Sequence, residues 1–129
     1  MNQRAANFYR RVDLQSAPKG QILERLYDRF DRDLATARAA ILAKDIKGKS
    51  AAIDHALQIV VNLEAALDRP AAPELCANLV ALYNFVIARL TLANMNMSVK
   101  PLDEVARVMT PIGDAFRQAH KMASAGAQP

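Results

Sequence analysis

Apolar residues recur every three or four positions along most of the 129-residue chain, a spacing that predicts amphipathic helices. Three short breaks, each containing glycine or proline, divide the pattern into four segments. The predicted helices run from Ser16 or Pro18 to about Lys44, from between Ile46 and Ala51 to Asp68, from about Pro73 to Asn94 or beyond, and from Pro101 to about Phe116. Four helices joined by loops of about four to seven residues predict an all-α, antiparallel up-and-down four-helix bundle with an N-terminal arm.

The third predicted helix differs from the others because it is apolar on two faces. One face includes Leu79 and Leu82, whereas the other includes Phe85 and Leu92. The second helix is also broad, since its apolar arc covers about half the circumference, beyond the roughly 100° that a surface helix needs. A four-helix bundle of this size has few places for a completely buried helix. We therefore expect the third helix either to be central or to present part of its surface to another chain.

The composition supports a single helical domain. Apolar residues make up 52% of the chain but aromatic residues only 5%, so aliphatic side chains and alanine must fill the core. Six prolines and four glycines are too few turn signals for a many-stranded sheet. We expect one domain over residues 1–129, with residues 1–15 as a flexible or capping arm, 16–122 as the bundle and 123–129 as a tail.

Cysteine content, charge and hydropathy limit where the protein acts and what it binds. The single cysteine, Cys76, excludes an internal disulfide and is expected to fill the core. The N-terminus lacks an apolar run of signal-peptide length, and no segment reaches about 18 uninterrupted apolar residues, which predicts a cytoplasmic protein without membrane insertion. The net charge of +4 is mild, and the 13 acidic and 17 basic residues are interleaved, so nucleic acid is not an expected partner.

The sequence shows no pattern typical of an active site or of a cofactor or metal site. His55 and His120 lie in different predicted helices, and both are expected to be exposed. The acidic residues of "DRFDRD" (28–33) spread around their helix and predict solvated charge rather than a carboxylate pair. "KGKS" (47–50) resembles the end of a phosphate-binding loop, but Ala43 stands where that motif needs its first glycine, and no strand precedes it. We therefore expect a protein that is not an enzyme.

Charged pairs and one proline are expected to modify the helices locally. Asp28 precedes Arg32 by four residues, and Arg29 likewise precedes Asp33, a spacing at which helical side chains meet and contribute a few tenths of a kcal/mol. Pro111 removes one backbone hydrogen bond from the fourth helix and predicts a kink, with the ring on the polar side.

Four blocks of sequence, taken in order, resemble the flagellar secretion chaperone family FliS. They are "ILERLYD" (22–28), "ARAAILAKD" (37–45), "LYNFVIARLTLAN" (82–94) and "LDEV" (102–105). The resemblance implies a cytoplasmic export chaperone that binds the C-terminal segment of flagellin in apolar grooves between helices and prevents premature polymerisation. It also implies delivery of flagellin to the flagellar type III secretion apparatus, with the export gate as a further partner. A tyrosine that would match Tyr9 can cover part of the apolar surface in that family.

The surplus apolar faces of the second and third helices supply the expected flagellin groove. Besides Tyr9, the candidate partner-binding residues are Ala52, Ile59, Leu63 and Ala66 on the second helix and Phe85, Ala88 and Leu92 on the third. The alternative is a helical homo-oligomer that uses the same surface for self-association. The sequence leaves open whether the protein is a monomer or a homodimer.

Overall fold

The computed structural model describes residues 17–126, which form four α-helices. They are α1 (Ala17–Leu42), α2 (Ile46–Ala65), α3 (Pro73–Asn96) and α4 (Lys100–Gly126). No strand occurs within these residues, and the all-α fold class predicted from the sequence is confirmed.

The helices pack as a ring in which each one contacts the next in sequence and α4 closes against α1. Arg38 near the end of α1 pairs with Asp103 near the start of α4, whereas Asp28 pairs with Arg117 further along α4. Residue numbers therefore run in opposite directions along this seam. Consecutive helices joined by short loops are antiparallel in the same way, which gives the predicted up-and-down bundle.

Each connection has a local cause in the sequence. The backbone at Lys44 adopts a positive φ of 59° and turns the chain out of α1. The Asp45 carboxylate then caps α2 by accepting a hydrogen bond of 2.9 Å from the Gly48 amide. Pro73 occupies the first turn of α3, where its missing amide costs nothing, and Met97 ends that helix in the left-handed conformation.

Two buried tyrosines meet at the centre of the bundle. The Tyr27 hydroxyl of α1 lies 2.8 Å from the Tyr83 hydroxyl of α3, across the ring. The Tyr27 ring stacks on Phe116 of α4 with centroids 5.3 Å apart, and a Cβ atom at Gly113 would lie 3.1 Å from Tyr27 Cδ1. Burial, aided by the neighbouring Tyr83, raises the pKa of Tyr27 well above 10, and burial raises the pKa of Tyr83 to about 12. The bundle thus holds both phenols neutral and bonded to each other.

A buried lysine joins the start of α2 to the end of α3. Lys49 is only 6% exposed, and its Nζ atom donates a hydrogen bond of 2.9 Å to the carbonyl oxygen of Asn94. A positive charge is favourable beside the last carbonyls of a helix, where the helix dipole is negative. The contact also shows that α2 and α3 are antiparallel.

His55 is exposed as the sequence predicts, whereas His120 is not. His55, although exposed, pairs with Asp33, which is itself buried at the seam between α1 and α2. His120 is buried rather than exposed, and its Nδ1 atom lies 3.4 Å from Glu24 Oε1. Gly20 makes room for it, since a Cβ atom there would lie 2.3 Å from His120 Cδ2. Packing between helices, which the spacing along a single helix does not reveal, determined both positions.

The charged pairs predicted within α1 are replaced by pairs between helices. Arg117 Nη2 lies 2.8 Å from Asp28 Oδ1 and 3.0 Å from Asp31 Oδ2, and Arg117 Nη1 lies 3.0 Å from Asp114 Oδ1. Asp28 and Asp31 are exposed, as the prediction of solvated charge required, but they gather on one guanidinium that closes the seam between α1 and α4. A planar guanidinium can bind several carboxylates at once, here two from α1 and one from its own helix.

The fourth helix is longer than its apolar pattern suggested. It continues through Pro111, whose ring is exposed on the polar side as expected, and ends at Gly126. Residues 123–126, expected in the tail, are therefore helical. Met122 and Ala123 pack against the core, which explains why the helix persists beyond Phe116.

Replacing Tyr27 by phenylalanine should lower the free energy of unfolding by about 1–3 kcal/mol, because the buried Tyr83 hydroxyl would lose its partner. The double variant Y27F/Y83F should be destabilised by less than the sum of the two single variants, since no unpaired hydroxyl remains. Urea unfolding of the four proteins measures the coupling. Additive losses would show that the two hydroxyls do not depend on each other.

Alkaline pH should weaken the bundle through the same pair. Because the folded-state pKa of Tyr83 is about 12 against 10 in the unfolded chain, its stabilisation is complete below pH 10. We expect a loss of about 2 kcal/mol as the pH rises from about 10 to 12. Urea midpoints measured over this range should fall less steeply for Y27F/Y83F than for the wild type, and parallel curves would contradict the prediction.

Candidate binding surface

The outer face of α3 carries large apolar side chains that the bundle does not bury. Leu82 is 38% exposed, Phe85 and Leu92 are each 37% exposed, and Met95 is 73% exposed. At about 100° per residue, these side chains and the alanines beside them occupy one side of the helix. We call this surface the outer α3 stripe, comprising Asn78, Ala81, Leu82, Phe85, Ala88, Leu92 and Met95.

The opposite side of α3 faces the core. Six of its residues are buried: Cys76, Leu79, Tyr83, Val86, Leu90 and Ala93. In a ring of four helices, each helix meets two neighbours and the centre, so a single stripe satisfies its packing. The helix is therefore apolar on both sides while the bundle uses only one of them.

A groove of about 540 Å³ opens beside the outer α3 stripe, between α3 and α4. Its described lining is apolar except for Asn78, and it comprises Asn78, Ala81, Leu82, Phe85 and Val108. A volume of this size accommodates several aliphatic or aromatic side chains. The stripe and groove together form a surface suited to the apolar face of a helix.

Arg89 borders this surface and links it to α4. Its guanidinium carbon lies 5.1 Å from the centroid of the Phe85 ring, and its Nε atom lies 3.8 Å from Glu104 Oε2. Both contacts are partly exposed, so each contributes on the order of 1 kcal/mol or less. Their effect is positional, because they hold the Phe85 ring beside the groove.

The structure places the candidate residues of α3 on this exposed surface. Phe85, Ala88 and Leu92 all lie on the outer α3 stripe. Tyr9 lies outside the described residues.

Three of the four candidates on α2 are not accessible. Ala52, Ile59 and Leu63 are 6%, 3% and 1% exposed, and all belong to the core. The expectation that they face outward is wrong, because α2 packs against α1 more extensively than any other two helices pack, which buries its broad apolar arc along that seam as well as at the centre. Ala66, just beyond the end of α2, is half-buried and packs against the core.

Sequence reasoning missed two residues of the groove. Leu82 was assigned to the core face of α3, although it is about 60° away from both Leu79 and Phe85 and thus lies between the two faces. Val108 belongs to the apolar stripe of α4, and only the pairing of α3 with α4 brings it beside Leu82. Angular position could have identified Leu82 as ambiguous, whereas Val108 required the fold.

The described residues also bear on two other kinds of site, a membrane span and a metal site. The helix α3 is long and apolar enough to span a membrane by length and composition, but a single helix of this kind is weak evidence for a span, and one of its faces is buried in the bundle. Within residues 17–126, no group of three or more histidine, cysteine or acidic side chains could hold a metal ion.

Comparison with known proteins gives a consistent result. The family model described as "Flagellar protein FliS" matches residues 1–123. The chain is 32% identical over 112 residues to the flagellar secretion chaperone FliS of Salmonella typhimurium, covering 86% of this chain and 83% of that protein. It is 31% identical over 107 residues to FliS of Escherichia coli, covering 82% of this chain and 79% of that protein. A third relative, FliSB of Pseudomonas aeruginosa, is 38% identical over 79 residues, which is 61% of this chain and 63% of that protein.

Polar substitution of the outer α3 stripe should remove apolar surface while the protein stays folded. We expect L82Q/F85Q to reduce the fluorescence of a bound hydrophobic dye by about half or more and to lower the free energy of unfolding by about 1–3 kcal/mol, because both side chains are partly buried. The control I46Q/V61Q alters two exposed apolar residues outside the stripe and should leave dye binding nearly unchanged. Equal dye binding by both variants would contradict a concentrated apolar site on α3.

Proposed function

The chain belongs to the FliS family of flagellar secretion chaperones, and from this premise we propose that it binds the C-terminal segment of flagellin along the outer α3 stripe. FliS is a family of chaperones and not of enzymes. The chain therefore serves flagellar export, and the proposal concerns which segment it holds, where it holds that segment and what the binding achieves.

One observation carries the proposal: α3 exposes a row of large apolar side chains on the side of the helix away from its buried face. The row from Asn78 to Met95 extends about 25 Å, or nearly five helical turns. Monomeric soluble proteins rarely expose contiguous apolar surface without a partner. A helix laid along this row could insert side chains spaced three and four residues apart into the groove beside Leu82 and Phe85.

The length of the surface suits a client that is unfolded before it binds. A disordered segment loses conformational entropy when it orders, which costs several kcal/mol, so it needs a long contact to bind tightly. Burial of one leucine or phenylalanine side chain contributes about 1.5–3 kcal/mol. Several such contacts along the stripe would offset the ordering cost and hold the segment as a helix.

Binding of this kind explains how a chaperone could keep flagellin from assembling too early. Apolar residues that flagellin subunits would bury against each other would instead be buried against α3 in the cytoplasm. Flagellin would be released at the flagellar type III secretion apparatus, where the export gate would be a second partner of the chaperone. Release would expose the apolar residues of flagellin again for assembly. We further propose that Tyr9 belongs to a segment that covers part of this surface before flagellin binds.

Two charges placed in the stripe should abolish binding of flagellin. In F85D/L92D each carboxylate would have to be desolvated against the apolar face of the client, and two buried side chains would be lost. We expect the Kd for full-length flagellin to rise by about 100-fold or more, as measured by calorimetry.

Two controls make this experiment specific. The variant I46D/V61D carries the same added charge at exposed positions outside the stripe and should bind flagellin as the wild type does. Flagellin lacking its C-terminal segment should bind neither the wild type nor the variants. Sedimentation of the free protein separates the alternative, because a homo-oligomer that dissociates only in F85D/L92D would assign the stripe to self-association instead.

A further inference from the structure

A second groove, of about 400 Å³, lies between α1 and α2 and has different chemistry from the first. Its floor is apolar and comprises the half-buried Leu26 and the buried Ile59, and the exposed Ile22 also lines it. Its rim is polar or basic and is formed by Arg25 and Arg29 of α1 and by His55, Gln58 and Asn62 of α2. None of the described residues that line it carries a carboxylate.

The positive charge along this groove is not neutralised by the part of the chain that the structure describes. Arg25 and Arg29 are exposed, are separated by one helical turn, and form no ion pair with any described carboxylate. Arg32, also exposed, continues the row along α1. The nearby Asp33 accepts a hydrogen bond from His55 and forms no ion pair with Arg29.

On the other flank of α1, the charged side chains are paired with residues of α4. Asp28 and Asp31 face α4 and bind Arg117 at 2.8 and 3.0 Å. Arg38 pairs with Asp103 of α4 at 3.2 Å. The charges of α1 that face α4 are thus paired within the bundle. The arginine row facing α2 has no carboxylate partner among the described residues and is available to a partner molecule.

We propose that the groove between α1 and α2 binds an acidic amphipathic helix of a partner protein other than the segment held on α3. The apolar floor would accept leucine-like side chains, and carboxylates on the flanks of that helix would pair with Arg25 and Arg29. Guanidinium groups favour carboxylates because two parallel hydrogen bonds can form. In a ring ordered α1 to α4, the groove between α1 and α2 lies opposite that between α3 and α4, so both can be occupied together.

Charge argues against the other occupants of this groove. Residues 1–16 of the chain carry three arginines and one aspartate, so like charge would oppose their docking beside the arginine row. A second copy has a net charge of +4 and meets the same repulsion. Nucleic acid would satisfy the arginines but would leave the apolar floor unfilled.

A pair of peptides tests the chemistry directly. Both are helices of about 18 residues, or five turns, with the same leucine and alanine face, and they differ only in having glutamate or glutamine on the flanks. By fluorescence anisotropy in about 0.1 M salt, the glutamate peptide should bind wild-type protein at least about tenfold more tightly than the glutamine peptide. R25E/R29E should reverse this preference.

Matched variants decide the location of binding. R69E/R107E changes the net charge equally at two exposed arginines outside the groove and should bind the glutamate peptide as the wild type does. F85D/L92D should also retain it, so the result does not depend on whether flagellin binds α3. Equal affinity for the two peptides, loss of binding in either control, or displacement by a random-sequence DNA duplex at equal charge concentration would overturn the proposal.

Discussion

The number of faces that a ring of four helices can bury determines what this protein exposes. Each helix has two neighbours and shares the centre, so one stripe is enough to hold it in place. The sequence nevertheless makes α3 apolar on both sides, with Tyr83, Val86 and Leu90 buried and Phe85 and Leu92 outside. The exposed half of α3 is therefore not required to complete the core, and its cost in solubility calls for a binding partner.

The contacts that stabilise the bundle and the grooves that it exposes lie at different seams between the helices. The seam between α1 and α4 is closed by Arg117 and its carboxylates, and the core is tied across by the hydroxyls of Tyr27 and Tyr83. These contacts stabilise the bundle without using the grooves on its two opposite edges. One edge is almost purely apolar, and the other combines an apolar floor with arginines, so a single small domain carries two grooves of different chemical character.

The elements that local chemistry controls could be predicted from the sequence. Helix number and order followed from apolar spacing, and the starts of α3 and α4 followed from Pro73 and Pro101, because proline acts within a few residues. Burial of a given side chain depended instead on which helices became neighbours. Ile59 was expected on the outside of α2, and it is buried because α1 packs so extensively against that side of α2.

The same limit applies to polar residues and to the candidate surface. The sequence pattern predicts that His120 is exposed, but in the fold α1 packs Gly20 and Glu24 against it. For α3 the reasoning succeeded, since a helix apolar on both sides must expose one of them in a ring whichever way it turns. The groove residue Val108 depended on pairing between distant segments, which spacing within one helix does not encode.

The hydrogen bond from Lys49 to the carbonyl of Asn94 bears on the readiness of α3 to receive a ligand. This contact anchors the last turn of α3, one residue from Met95 and two from Leu92, to a different helix. The rotation of α3 about its own axis is consequently set before any encounter. With a preorganised surface of this kind, most of the conformational entropy lost on association comes from the incoming chain. The helix propensity of that chain can therefore contribute to selectivity.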